Sequence, residues 1–519
     1  MNCIFDCVVS HAADAQPAAV INQQLSARWK RDHIQPADRC SDRDFVRRVY
    51  LDLAGRIPTV QETTEFLNDG RDDRRNRLID TLLASEDHVQ HFADLFDALL
   101  MGRTDDSKYA ERVKHGWRDY LETAFRENRP WNDVAAEILL ARPDDKTQRG
   151  AVWFLYERNN QHQAIAESIA PAFFGIRIEC AQCHDHMMVD EIKQEHYWGL
   201  VAFFNRSKNE NTPNGPRVAE SAIGGFSEFA NLTGESSPNR LAFLQTETID
   251  ERRPEKDEKQ ADSDELYVPA SVSDDPRVPK FSRREQFVTN VLQDHPLLAR
   301  SMVNRLWAIL MGRGIVHPYD EIDSIHPPSH PELLDWLSED FANNGFDVRR
   351  LTGMIARSDA YQLDSKRPDD VNDPSTFAWY LERPLTAEQM ARSIQLAMRG
   401  TFQNDATVVS SFRAQFLDVL PDQVEVPIAD ALYFSNNEKL IGYIRESKAE
   451  GQLMQQLIGE ASHRSRANRL IETLFGREAT KDEIKAIVKY LKQRQDRMPD
   501  AIEQVVWSLL AGAEFRFNH

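Results

Sequence analysis

The sequence predicts a mainly α protein: two helical domains joined by a polar, acidic, partly irregular segment that could include a small β element. Apolar residues recur at helical spacing in both halves of the chain, and alternating patterns typical of strands are sparse. The composition changes sharply in the middle. A chain of 519 residues is too long for one ordinary core, and 41% hydrophobic residues are enough to build two.

The first 25 residues are expected to form a tail or the remnant of a signal peptide. Residues 4–13 are weakly apolar and end in a small-x-small pattern typical of a signal-peptidase site. The positive start of a signal peptide is missing, and Asp6 interrupts the apolar stretch. A plain tail therefore stands beside a signal peptide whose true start lies upstream of Met1.

Residues 26–208 are predicted to form an N-terminal helical domain. Thr59 and Glu62 have the spacing of a capping box, which marks the start of a helix. Apolar residues at helical spacing follow: Phe66, Leu67, Leu78, Ile79, Leu82, Leu83, Phe92, Leu95, Phe96, Leu99 and Leu100.

Residues 209–283 are polar, with Pro, Gly and acidic residues throughout, and residues 251–265 are highly charged. Such a stretch is typical of a solvated linker. The short apolar runs 241–244 and 266–268 could be strands of a small β insert.

Residues 284–519 are predicted to form a C-terminal helical domain. Residues 343–345, Asn-Asn-Gly, are a stop signal for the helix that contains Leu333, Leu334, Leu337 and Phe341. Three further capping boxes mark helix starts: Ser329 with Glu332, Thr386 with Gln389, and Thr480 with Glu483.

The net charge and the hydropathy of the chain limit the classes of partner that it is expected to bind. The formal net charge of -20 argues against nucleic acid, because a phosphate-binding surface needs an excess of Lys and Arg. No run of about 18 apolar residues exists, so no transmembrane segment is expected.

The strongest functional signal is Cys180-Ala181-Gln182-Cys183-His184, in a chain with only five cysteines. The pattern is typical of a c-type haem attachment site, in which two thiols add to the vinyl groups of one haem and the histidine binds the iron. A structural zinc site that uses Cys180, Cys183 and two of His184, His186 or His196 is one alternative. A structural disulfide or a vestigial motif is the other.

The second axial ligand of such a haem stays open. The candidates are Met187, Met188, His196 and His162. Alternatively, the methionines could simply pack in the core, and the histidines could be ordinary surface or hydrogen-bonded residues. Asp185 could fix the tautomer of a nearby imidazole, or could simply be a solvent-facing carboxylate. His186 could orient the loop or bond a haem propionate.

Long runs of the sequence resemble a known pair of domains. The N-terminal part is similar to the planctomycete cytochrome-like domain of unknown function, through residues 44–59, 173–177, 180–186 and 197–204. The C-terminal part resembles the partner domain of unknown function that usually follows it, through residues 303–307, 312–316, 328–335 and 514–519.

The resemblance implies a covalently bound haem c, export from the cytoplasm and a redox role, with no known substrate. Members are often encoded near sulfatase-like proteins, which hints at a polysaccharide-derived substrate. Relatives usually continue Cys-His-Asp-His with Pro and an aromatic residue, whereas Met187, Met188 and Val189 follow here. That departure puts the geometry of the local loop in doubt.

A second group of chemically active residues lies in the C-terminal half: His317, Asp320, Glu321, Asp323, His326 and His330. Histidines and carboxylates at this density could bind a metal or act as general acid and base. They could also form an ordinary loop that enters a helix. Nearby, Arg305 is expected to pair with an acidic residue of this loop.

Three functions are compatible with these observations. The first is an exported haem c redox protein that carries electrons for the oxidation of an unidentified substrate and works with an unidentified redox partner. The second is an enzyme with its site in the C-terminal domain and the haem as electron outlet. The third is a non-catalytic scaffold in an extracytoplasmic complex, held at the motif by a disulfide or zinc. Whether the protein is an enzyme is left open.

Overall fold

The fold is known from a computed structural model, which describes residues 10–103, 106–143, 147–255, 258–269, 276–402, 406–413, 420 and 437–519. These residues are mainly helical, which confirms the predicted fold class. The helices of the first half are α1 Ser10–Arg31, α2 Asp42–Ala54, α3 Val60–Asn68, α4 Arg74–Leu83, α5 Glu86–Met101, α6 Asp106–Lys114, α7 Trp117–Arg126, α8 Trp131–Leu140, α9 Trp153–Tyr156, α10 His162–Ile169 and α11 Gln194–Phe204.

The helices of the second half continue this numbering. They are α12 Arg283–Phe287, α13 Pro296–Met311, α14 Pro331–Asn343, α15 Val348–Arg357, α16 Ala387–Arg399, α17 Ala406–Arg413, α18 Glu438–Glu446, α19 Leu453–Gly459, α20 His463–Phe475, α21 Lys481–Lys492, α22 Met498–Leu510 and α23 Ala513–Arg516. In the part of the chain that the structure describes, none of these helices has the length and apolar character needed to cross a membrane.

The strands of the described residues form short, two-stranded antiparallel sheets. They pair β1 Ser207–Thr212 with β2 Gly215–Glu220, β3 Glu228–Ala230 with β4 Ser236–Pro238, β5 Tyr267–Val268 with β6 Val278–Pro279, and β7 Arg383–Pro384 with β8 Phe517–Asn518. Three of the four lie in the middle segment, where a small β element was expected. The run 241–244 forms no strand: it is buried, and Leu241 makes a single bridge to Ile249.

The helix-start signals are mostly confirmed. Thr59, Thr386 and Thr480 each cap a helix in a complete capping box. The prediction for Ser329 was wrong, because α14 begins at Pro331 with His330 as its N-cap and no side-chain capping bond there. Proline is favourable at the first helical position, since it has no N–H to satisfy and its backbone conformation suits a helix.

Residues 1–25 were expected to form a tail or signal remnant. Residues 1–9, which include Cys3 and Cys7, lie outside the described residues. From Ser10 onward the chain is helical, and Ile21, Leu25 and Trp29 bury one stripe of α1. The Trp29 indole also donates a 2.8 Å hydrogen bond to the carbonyl of Thr376.

The described residues group into two compact units that alternate along the chain. The terminal unit comprises Met1–Leu95, Ile309–Gly312 and Thr352–His519; the central unit comprises Phe96–Ala308 and Arg313–Leu351. The terminal unit has a largely aliphatic core formed by α16 to α22, with Leu51 and Ile57 from the N-terminal part. The division expected from the sequence, 26–208, 209–283 and 284–519, follows consecutive segments and stays a prediction.

The terminal unit contains a buried polar cluster around Asp52 on α2. The hydroxyl of Tyr361 donates a 2.7 Å hydrogen bond to one carboxylate oxygen, and the amide of Asn518 donates a 2.7 Å bond to the other. Arg383 forms an ion pair with the same carboxylate. Arg383 of β7 and Asn518 of β8 therefore connect this strand pair to α2 through the fully buried carboxylate of Asp52.

The central unit is built around aromatic rings. Phe287 of α12 makes edge-on contacts with Phe203 and Phe204 of α11, at 5.1 and 5.2 Å between ring centroids. Gly199 on the same helix lies so close to the backbone of Ala242 that a Cβ there would meet its oxygen at 2.0 Å. This packing fixes α11, the helix that follows the Cys-x-x-Cys-His motif.

Candidate haem attachment site

The motif is reached through a rigid turn of the central unit. α10 continues into a π-helical turn, Ala170–Phe174, which ends at Gly175 with φ +63°. The guanidinium of Arg305 on α13 donates to the carbonyls of Pro171 and Ala172, each at 2.7 Å. Arg305 was expected to pair with a carboxylate, but it bonds instead to these carbonyls at the end of the helix, where backbone acceptors are left over.

Gly175 makes the turn possible. Its φ is favourable for glycine, and a Cβ at this position would lie 2.9 Å from atoms of Ser301 and Ile322. Its carbonyl accepts a 2.8 Å hydrogen bond from the N–H of Ile322. The start of the motif loop is therefore held at its backbone.

Both cysteines of the motif are free and exposed. A 3₁₀ turn, Glu179–Gln182, carries Cys180, and Cys183 follows directly. Between them Ala181 is fully buried and anchors the turn. The two thiols therefore face solvent, on a turn whose backbone is held in place by the buried Ala181.

The carbonyl of Gln182 is the main anchor of this turn. It accepts a 3.0 Å hydrogen bond from the indole N–H of Trp198 and a 3.1 Å bond from the side-chain amide of Gln194. Both donors lie on α11. The same amide of Gln194 also reaches the carbonyl of Ala230 on β3, at 3.0 Å.

The ring of His184 is held by a hydrogen bond to the backbone. Its Nδ1 lies 2.6 Å from the backbone carbonyl of Asp185. Because a carbonyl can only accept, Nδ1 carries a proton, and in the neutral ring the lone pair is then on Nε2. Metal-binding histidines are commonly fixed in this tautomer by a hydrogen bond on the other ring nitrogen.

Asp185 and His186 shape the loop that follows. The carboxylate of Asp185 accepts a 2.9 Å hydrogen bond from the N–H of Gln194, and its second oxygen lies 3.6 Å from the ammonium of Lys193. The carbonyl of Asp185, rather than its carboxylate, contacts His184. Nδ1 of His186 accepts from the N–H of Val189 at 3.0 Å, which closes the loop.

A cleft of about 770 Å³ opens beside His184. Its volume is within the range of about 300–1,000 Å³ typical of cofactor sites. The loop, the start of α11 and the β3–β4 hairpin line it: His184, Asp185, Met187, Lys193, Gln194, Glu195, Phe229, Asn231, Leu232, Thr233 and Ser237.

Two strongly exposed apolar side chains lie at the rim of this cleft. Met187, Leu232 and Met188 are the three most exposed large apolar side chains of the described residues, at 81%, 77% and 68%. Met187 and Leu232 line the cleft, together with Phe229, whose ring is parallel to that of Trp198 at 6.4 Å. Apolar side chains gathered at a surface usually mark a binding site.

The structure separates the four candidates for a second axial ligand. Nε2 of His162 is bonded to the carbonyl of Ser207 at 3.0 Å, and Nδ1 of His196 accepts the N–H of Lys193 at 3.1 Å. Burial lowers the pKa of His196. Met188 is exposed but does not line the cleft, whereas Met187 does. Core packing explains neither methionine.

The geometry gives less support to zinc or a disulfide. The two cysteines are not bonded to each other. Among the described residues, the group of His, Cys and carboxylate side chains close enough to share an ion is Glu321, Asp323 and His326, which contains no cysteine. Cys180, Cys183 and the histidines around them are not brought together in this way.

Several contributors to the cleft could not be found from the sequence. Phe229, Asn231 and Leu232 belong to a segment that was expected to be a polar linker. No local motif marks them, since the β3–β4 hairpin is placed by long-range contacts such as that of Gln194 with Ala230. Trp198 was part of a run that carried the family resemblance, although its bond to the motif was not anticipated.

Comparison with known proteins gives two family matches. Residues 20–209 match the family PSCyt2, described as a protein of unknown function (DUF1549), and residues 283–415 match PSD1, described as a protein of unknown function (DUF1553). No curated protein and no solved structure matches the chain. The cysteine motif and its loop lie within the first match, and the chain carries the PSCyt2 and PSD1 domains, in that order, as one paired-domain protein.

Proposed function

We propose that the protein binds haem c covalently at Cys180 and Cys183, with His184 as an axial iron ligand, and acts in electron transfer. One observation carries this proposal. Two free, exposed thiols and an imidazole with an available Nε2 lie beside a cleft that is lined by Met187 and Leu232, the two most exposed large apolar side chains of the described residues.

The residues of the cleft suit a haem chemically. Haem is a large, flat, mostly apolar molecule with two carboxylates at one edge. Met187, Phe229 and Leu232 supply apolar surface, and the Lys193 ammonium supplies a cation for a propionate. Burying each exposed apolar side chain under such a ligand would contribute about 1.5–3 kcal/mol.

Each residue then has a separate task. The thiols of Cys180 and Cys183 would form thioether bonds, and His184 would bind the iron through Nε2. The Asp185 carbonyl fixes the tautomer of His184. Gln194 and Trp198 hold the carbonyl of Gln182 and with it the spacing of the two thiols. Bound haem would supply one-electron redox chemistry.

Location and partners follow from this chemistry. In bacteria, c-type haem is attached outside the cytoplasm, so the proposal places the protein in an exported compartment. The apolar rim would leave one haem edge accessible to a redox partner. Of the four candidates for the second axial ligand, Met187 is the one that lines the cleft.

The test is expression of the full chain with the cytochrome c maturation machinery, followed by visible spectroscopy of the reduced protein. A haem α band that survives denaturation and acid-acetone extraction supports the proposal. The variant with Cys180→Ser and Cys183→Ser should lose the band, while Cys40→Ser, a buried cysteine elsewhere, should keep it.

His184→Ala tests the axial ligand separately. The variant should still retain covalent haem in part but lose the spectrum of a histidine-bound iron. If the wild-type chain carries no haem while a control cytochrome matures in the same cells, the proposal fails.

A further inference from the structure

Three exposed apolar side chains form a patch beside the motif loop of the central unit. Met187 and Leu232 line the same cleft, and Met188 follows Met187 in the chain. Met188 does not line the cleft, so it stays exposed beside a group that is bound there. Exposed apolar side chains, methionine among them, are typical of the centre of a surface that binds another protein.

The elements that surround this patch are strongly acidic. Residues 179–196, from the motif turn to the start of α11, contain five carboxylates, and the β3–β4 hairpin contains two. Lys193 is the single Lys or Arg in these stretches. The whole chain has 83 acidic and 63 basic residues, so seven against one is a local excess. The seven are Glu179, Asp185, Asp190, Glu191, Glu195, Glu228 and Glu235.

These seven carboxylates are exposed, and few cations lie against them. In the ion pairs of the described residues, Asp185 is the one of the seven with a cationic partner, the Lys193 ammonium at 3.6 Å. Glu191 and Glu228 accept hydrogen bonds from neutral serine hydroxyls, at 2.8 and 2.9 Å. Arg253 contacts the hairpin through two backbone carbonyls at its base, which lowers the excess of negative charge without removing it.

An apolar centre within an acidic surround fits a partner of the opposite charge. Complementary potentials steer two proteins together, and like charges at the same face disfavour other partners. We propose that the redox partner docks on this face, formed by Met187, Met188, Leu232 and the seven carboxylates, through a cationic surface rich in Lys or Arg.

This inference rests on the proposed function, because haem bound beside His184 makes this face the route by which an electron enters or leaves. The propionates of that haem would add to the negative charge of the face. The partner is therefore identified by its chemistry, as a redox protein with a basic docking surface.

The experiment measures electron transfer from the reduced, haem-loaded full chain to two small oxidants of opposite charge, by stopped-flow absorbance of the haem. The cation is tris(phenanthroline)cobalt(III), whose flat aromatic ligands also suit an apolar surface, and the anion is ferricyanide. In each reaction the ferrous haem loses one electron and the metal of the oxidant gains it. The rate constant for the cobalt complex should fall as ionic strength rises, and that for ferricyanide should rise.

A pair of variants locates the effect on this face. Asp190→Asn with Glu228→Gln removes two exposed carboxylates next to the patch that do not line the cleft. At low ionic strength it should slow the cobalt reaction at least about threefold and accelerate the ferricyanide reaction. Glu332→Gln with Glu339→Gln, two exposed carboxylates of α14 that do not line the cleft, is the matched control. It should change either rate by less than about 1.5-fold.

Two results would overturn the proposal. If the cobalt rate does not fall as ionic strength rises, the face does not favour a cationic partner. If the two double variants slow the cobalt reaction equally, the net charge of the chain determines the rate, rather than this face. A chain without haem is a different failure, seen in its spectrum before any rate is measured: it contradicts the proposed function, and the docking proposal falls with it.

Discussion

Asp52 and the Cys180–His184 turn both lie in stretches that carry the family resemblance, yet their polar atoms differ in burial and in hydrogen bonding. Asp52 is 1% exposed, and Tyr361, Asn518 and Arg383 satisfy both of its oxygens. The two thiols are exposed and unbonded, on a turn whose backbone alone is fixed.

This difference distinguishes residues that stabilise the fold from residues that are available to bind a ligand. A motif match alone cannot make the distinction, since it spans both kinds. Burial and hydrogen bonding can. Groups whose partners are all internal stabilise the structure, and fixed but unpartnered groups at a surface are available for binding.

The largest effect is expected from removing the buried charge. Asp52→Ala should lower the free energy of unfolding by about 3–5 kcal/mol, because it leaves Arg383 buried without its carboxylate. Cys180→Ser with Cys183→Ser should change it by less than about 0.5 kcal/mol in the haem-free protein. Urea denaturation followed by circular dichroism measures both.

Asp335→Asn is the control for that comparison, because it removes an exposed carboxylate that also pairs with an arginine. It should cost less than about 1 kcal/mol. Equal losses in Asp52→Ala and in the double cysteine variant would contradict the contrast between the two regions.

The next effect concerns pH and a second buried group of the terminal unit. Burial, followed by the nearby Arg392, lowers the pKa of His91 to about 3. The unfolded chain takes up a proton near pH 6.5 while the folded chain does not, so stability is lost as pH falls from about 6.5 toward 3.

His91→Gln removes this proton uptake. Between pH 6.5 and 4.5, wild type should lose about 2–3 kcal/mol more stability than His91→Gln. Urea midpoints measured across this interval provide the test. Parallel pH profiles for the two proteins would show that His91 is not the group that titrates.

A smaller effect is expected at the support of the motif turn. Trp198→Phe removes the hydrogen bond to Gln182 and should cost about 1 kcal/mol. Tyr197→Phe removes the neighbouring hydrogen bond to Glu167 at similar cost. Only Trp198→Phe should lower the amount of haem attached per chain, measured by absorbance of purified protein. Equal haem content in the two variants would contradict the role given to Trp198.

The smallest effect is expected at the rim of the cleft. Leu232→Ser should leave the haem-free protein unchanged in stability to within about 0.5 kcal/mol. In haem-loaded protein it should lower the reduction potential, because greater solvent access favours the more highly charged oxidised iron. Val268→Ser, an exposed apolar residue on β5 that does not line the cleft, is the matched control in redox titration. An equal change of the reduction potential in both variants would contradict the role given to the cleft rim.

Local signals made three helix starts predictable. Thr59, Thr386 and Thr480 cap helices through contacts three residues apart, and such short-range chemistry is visible in the sequence. The prediction of a site at the two thiols and His184 rests on the same kind of local signal.

Long-range packing made the remainder unpredictable. The cleft depends on Phe229 and Leu232, which a hairpin brings to the motif from a segment that looked like a linker. Arg305 was expected to meet a carboxylate, but it satisfies two carbonyls more than a hundred residues away in sequence. The stripe Ile21, Leu25 and Trp29 likewise marks a packed helix where a tail was expected.

The central claim is that Cys180 and Cys183 carry a covalent haem, and the intact mass of the acid-denatured chain tests it most directly. Wild-type protein matured with the cytochrome c machinery should be heavier than its sequence by one haem, with the added mass on the peptide that contains both cysteines. The variant with Cys180→Ser and Cys183→Ser should have the mass of the bare chain. A wild-type chain of unmodified mass, alongside a control cytochrome that matures normally, would contradict the claim.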